Sequence, residues 1–131
     1  MRNLVIVLML CLMNSAFAKN TCDFKLKKYC AKLEFLKKPS RSYSSDFKIY
    51  FTDLKSSKKA MPTQKVFTYL WMKMKNGHEH GSDKVKITRK KDHFLVENVW
   101  FVMIGNWQLH LLLKKDGKVI DKQMKIIEIG K

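Results

Sequence analysis

Apolar and polar side chains alternate along most of this chain with a period of two. In AKLEFLKK, Leu33 and Phe35 fall on one face and Lys32 and Glu34 on the other; in SDFKIYFT, Phe47, Ile49 and Phe51 oppose Lys48, Tyr50 and Thr52. That period is the pleat of a half-buried β-strand. The same reading predicts strands over Gln64 to Met74, Asp83 to Arg89, His93 to Met103, Trp107 to Lys114 and Val119 to Ile129. Between them lie turn-prone stretches: Pro39 with serines, Pro62, Asn76-Gly77 with Gly81, and Asp116-Gly117, which suits a hairpin turn. No segment keeps a helical period over three turns, although Cys22 to Leu36 admits a short helical piece in place of a leading strand. About seven strands predict an all-β fold, an immunoglobulin-like sandwich of two antiparallel sheets, with a small closed barrel as the alternative.

The N-terminus departs from this pattern. Residues 1–18, MRNLVIVLMLCLMNSAFA, begin with a basic residue, continue as an apolar run from Leu4 to Met13 and end in Ala-Phe-Ala. These are the parts of a secretory signal peptide, and the apolar run is shorter than the roughly 20 residues that span a bilayer. Cleavage after Ala18 is expected to leave residues 19–131 as one domain with no stable membrane span, located in the periplasm or secreted. Cys11 departs with the leader. The remaining cysteines, Cys22 and Cys30, form an even pair in an exported chain and are expected to be bonded. Closing so small a loop stabilises by about 2 to 3 kcal/mol in the chain-entropy account. A thiol metal site fits less well, because the spacing is neither C-x-x-C nor C-x-x-x-C.

Charge narrows the partners. The 131-residue chain has 27 Lys and Arg against 11 Asp and Glu, a net charge of +16, which loses one unit if Arg2 leaves with the leader. Such a field is either a solvated cationic surface with no dedicated partner, the first expectation, or one that attracts anionic partners, an acidic protein or an anionic envelope surface; it does not specify a fold. The lysines are dispersed through every segment. Nucleic acid is not an expected partner, since export, the lack of an RNP-like aromatic signature and the lack of a DNA-binding helix all argue against it. Nor is an enzyme: there is no G-x-S-x-G, no H-E-x-x-H and no phosphate loop, and the mature cysteines are expected to be bonded.

The chemistry concentrates in WMKMKNGHEH, Trp71 to His80. On a strand, Met72 and Met74 share a face; His78 and His80 then bracket Glu79 in a turn closed by Gly81. Met103, at the end of a strand before a Gly105-Asn106 turn, could add a third thioether at the same end. Thioether and imidazole donors suit copper, Cu(I) being soft and imidazole accepting Cu(II) as well. Zinc would want more His, Cys or carboxylate. Glu79 could add an oxygen ligand, but is expected instead to support a histidine from behind. The same Met-x-Met spacing is also ordinary strand packing, since methionine fills cores readily. His110 falls opposite Trp107, Leu109 and Leu111 and is expected to face solvent; His93 follows a charged turn.

The order W-M-x-M-x-x-G-H-E-H-G-S (Trp71 to Ser82), followed by F-x-M-x-G-x-W (Phe101 to Trp107) and the strand QLHLLLK, resembles the FixH/YtkA-like group of small exported or membrane-anchored β-sandwich proteins. The resemblance covers about half of the mature chain. It implies an immunoglobulin-like sandwich and, for some members, a link to copper handling or to assembly of respiratory oxidases. Carried over, the metal candidates are Met72, Met74, His78, His80 and Met103. Gly77, Gly81, Gly105 and Trp107 are the structural part of the motif, with Gly105 expected to allow a tight turn and the Trp107 indole to plug the core.

Overall fold

The computed structural model describes residues 22–130; the expected leader over residues 1–18, its expected cleavage after Ala18 and Cys11 lie outside the described residues. Nine strands run in the order β1 (Phe24–Lys25), β2 (Tyr29–Phe35), β3 (Phe47–Asp53), β4 (Lys65–Lys73), β5 (Glu79–Gly81), β6 (Lys86–Arg89), β7 (Phe94–Glu97), β8 (Gly105–Lys115) and β9 (Lys118–Ile129). They form two antiparallel sheets, one ordered β1-β2-β3-β7-β6 and the other β5-β4-β8-β9. The result is an all-β sandwich and not a closed barrel.

The period-two faces become the core. Phe47, Ile49 and Phe51 are buried from one sheet, and Val66, Leu70, Trp107, Leu109, Leu111 and Leu113 from the other. Trp107 is fully buried and packs edge-on against Phe101, ring centroids 5.8 Å apart. Asp116-Gly117 makes the expected two-residue hairpin between β8 and β9; both residues have positive φ (52° and 76°), as a type I′ turn requires.

The segment Cys22 to Leu36 contains β1 and β2, as its alternation predicts and in place of the helical alternative, with Cys22 disulfide-bonded to Cys30 as expected. Two elements differ from the sequence reading. The strand expected over His93 to Met103 stops at Glu97, because Asn98 takes a φ of +62° and turns the chain away from the ladder. Val99 then docks by backbone on Ser45 (2.7 Å) and on the Ser44 hydroxyl (3.1 Å), burying Val99 and Phe101 without strand pairing. Finally, the HEH stretch is not a turn: it lies on or beside the short return strand β5, which accounts for one of the two strands beyond the seven expected.

Candidate metal centre

The β4-β5 hairpin is built by a three-residue loop. Gly77 N–H donates to the Met74 carbonyl (3.0 Å) and Met74 N–H to the His78 carbonyl (2.8 Å), with Gly77 at a φ of +84°. This is a type I turn completed by a left-handed residue, a conformation glycine adopts without a steric penalty. Asn76 fixes the loop further, its Oδ1 accepting from the His78 N–H at 3.0 Å.

That loop sets which donors meet. Met72 stands opposite His80 and Lys73 opposite Glu79, and the Met74–His78 backbone bond continues the register outward. Directly opposed residues of an antiparallel pair project to the same face. Met72, Met74, His78 and His80 therefore occupy alternate positions that face the interior side of the hairpin, as two Met-His pairs. Lys73 and Glu79 occupy the other face. Exposure grades outward, from buried Met72 through half-buried Met74 to exposed His78 and His80.

Met103 comes from a different segment of the chain. It lies in the approach to β8, half-buried against the core, and its carbonyl accepts the Trp107 indole N–H at 2.9 Å. Two residues on, Gly105 meets Met72: a β-carbon there would collide with the Met72 methyl, and its φ is +134°. Gly105 is thus the first residue of β8, paired with Ile129, and not part of a tight turn as the sequence suggested. Its missing side chain leaves the space that Met72 fills. Gly81 is likewise a strand residue, with the Trp71 ring 3.2 Å from where its β-carbon would be.

Other expectations are corrected here. Glu79 does not back a histidine; its Oε1 lies 3.8 Å from Lys73 Nζ on the outer face. His110 is on the face predicted, yet it is only 9% exposed, because Tyr69 stacks on it at 4.4 Å with the rings 6° from parallel. Its Nε2 pairs with Gln108 at 2.9 Å, while Nδ1 is buried without a partner. Burial first, and the Lys122 charge second, lower the His110 pKa from 6.5, so the neutral ring is favoured. No single-sequence signal reveals this stack, which depends on the β4-β8 register. His93 is engaged elsewhere, bonded to Asp92 at 2.6 Å.

Among the described residues, no three His, Cys, Asp or Glu side chains gather as metal ligands. A metal held at this hairpin would therefore draw on thioether sulfur beside the two imidazoles, a donor set that suits a soft cuprous ion better than zinc. A family model described as YtkA-like matches residues 24–112, a span that holds the hairpin and the Phe101 to Trp107 segment. No curated protein and no solved structure compared with the chain matches it.

Proposed function

The chain belongs to the YtkA-like family, and from that premise we propose that it is an exported copper-binding protein, a carrier or accessory in metal delivery. The observation that carries the reading is the cross-strand opposition of two methionines and two histidines, Met72 with His80 and Met74 with His78. Met72 would form the inner floor, Met74 and the two imidazoles the rim, and Met103, two residues before the Gly105 that approaches Met72, a reserve donor. Bound there, copper would supply a transferable cuprous ion; the exposed imidazoles leave the rim open to a receiving protein, as a carrier requires and a structural site does not. Respiratory oxidase assembly is the role suggested by the likeness to FixH-type members, and the periplasm or the exterior is where the leader would deliver the protein.

Competition with a chromogenic Cu(I) chelator tests this. The Met74→Leu/His78→Ser protein is expected to lose the Cu(I) that the unaltered protein withholds from the chelator, while keeping its fold, because Met-to-Leu conserves volume and His78 is exposed. Unchanged stoichiometry would overturn the proposal.

A second reading is an interaction module that uses its basic surface on an acidic protein or an anionic envelope surface. The outer face of the β5-β4-β8-β9 sheet favours it: Lys114 Nζ lies 4.3 Å from the Phe67 ring centroid and Lys122 Nζ 5.9 Å from that of Tyr69, beside exposed Met124 and Ile126. Affinity for such a partner should fall steeply as salt is raised from low to high, since screening shortens the reach of exposed charge. A salt-insensitive interaction contradicts that reading.

A further inference from the structure

The sandwich is open along one side. Strand β5 pairs only with Trp71 to Lys73, so the outer edge of β4 from Lys65 to Leu70 has no strand partner among the described residues. After Gly81 the chain crosses to the other sheet and resumes as β6, which is itself an edge strand. Between the two edges runs a groove of about 560 Å³, within the range of ligand clefts. Its floor is apolar, formed by Val66, Val85, Ile87 and Phe94.

Two further observations say what kind of occupant fits. Every second residue of an edge strand turns both its N–H and its C=O outward, which makes a template for another strand. Within this groove the Thr68 hydroxyl and the Gln64 side-chain carbonyl are buried with no hydrogen-bond partner, Thr68 being only 7% exposed. Buried polar atoms of native proteins are nearly always paired. The lining also carries Lys65, Lys84 and Arg89 against Asp83 alone, in a chain of net charge +16. Arg89 donates to the Pro62 carbonyl at 2.7 Å, whereas exposed Lys84 and exposed Lys65, whose Nζ lies 5.5 Å from the Phe67 ring centroid, present their charge to the groove. A second copy of so basic a chain would bring lysine against lysine.

We propose that this groove binds an extended acidic segment of a partner protein, which adds a strand to β4 and alternates apolar side chains into the floor with carboxylates toward Lys65 and Lys84. Backbone pairing supplies the register, and the floor and the two lysines select the sequence. The proposal does not rest on the metal reading, since the groove shares none of the candidate copper donors.

The test uses a synthetic heptapeptide, Glu-Val-Glu-Val-Glu-Val-Glu with blocked ends, and a control in which each Val is Pro and each Glu amide is N-methylated, equal in charge but without backbone donors on either edge and held away from a regular strand. At saturation the alternating peptide should slow hydrogen exchange of outward amides between Lys65 and Leu70 by tenfold or more, while the proline peptide leaves them unchanged. Lys65→Glu/Lys84→Glu, both surface changes, should raise the Kd about tenfold. Equal protection by both peptides, or none by either, overturns the proposal. So does binding to phosphatidylglycerol vesicles that exceeds peptide binding and is lost in the same double variant, which would assign the lysines to a lipid surface.

Discussion

Thr68 shows how one atom sets an expectation. Its hydroxyl is buried with no partner, and leaving such a group unpaired costs about 1 to 3 kcal/mol. Thr68→Val keeps the shape and removes the unpaired oxygen, so the free protein should gain about 1 kcal/mol in urea unfolding; a loss of stability would mean that the hydroxyl is satisfied. Gly105 predicts the opposite sign. Alanine there meets the Met72 methyl and a φ of +134°, so Gly105→Ala should destabilise by about 2 kcal/mol or more. His110 adds a pH dependence. Its folded pKa lies below the ordinary histidine value of 6.5, so the unfolded chain binds more protons in the window just below that value. The stability from the neutral stacked ring is complete above about 6.5 and is lost as the pH falls through the lower folded value. His110→Phe, which can keep a stack on Tyr69, should flatten the decline in stability on acidification from pH 7 to 5; parallel curves for the two proteins would contradict the assignment.

At the scale of the element, the β4-β5 hairpin was legible in a form that is easily overlooked. The string M-x-M-K-N-G-H-x-H is symmetric about its Lys75-Asn76-Gly77 loop. Asn-Gly marks a turn, and once the loop is given three residues the register follows: each methionine stands opposite a histidine. Taking HEH as part of the turn hides this, because alternation over only Glu79 to Gly81 is too short to declare a strand. The longer alternating strands were readable to within a few residues. Asn98 was not, since its left-handed backbone answers to docking on Ser44 and Ser45, contacts far away in sequence. The hairpin makes its own prediction. Exchanging two neighbours in Glu79→His/His80→Glu keeps composition and charge but moves one imidazole to the Lys73 face, and Cu(I) affinity should drop as far as in His80→Ser. Retained affinity would show that the face does not matter.

For the whole molecule, the first described segment ties one sheet to the other. Asp23 accepts the Leu33 N–H at 2.7 Å and pairs with Lys125 on β9 at 3.0 Å, while the Lys27 N–H donates to Asp121 at 2.7 Å. The Cys22–Cys30 disulfide holds this segment in place, and Cys22→Ser/Cys30→Ser should cost about 2 to 3 kcal/mol, read as a lower urea midpoint. The sequence announced the cysteine pair and the basic charge, but not the open side of the sandwich, because a groove between two sheet edges depends on which strands fail to pair. The candidate copper site stands in between: its residue types were visible, and their opposition across one hairpin follows only once HEH is read as a return strand and not as a turn. X-ray absorption of the Cu(I)-loaded protein addresses that opposition most directly. Mixed sulfur and nitrogen scattering is predicted, with sulfur lost in Met72→Leu/Met74→Leu and nitrogen lost in His78→Ser/His80→Ser. A coordination sphere of nitrogen and oxygen alone, or one that neither pair of substitutions changes, would contradict the account.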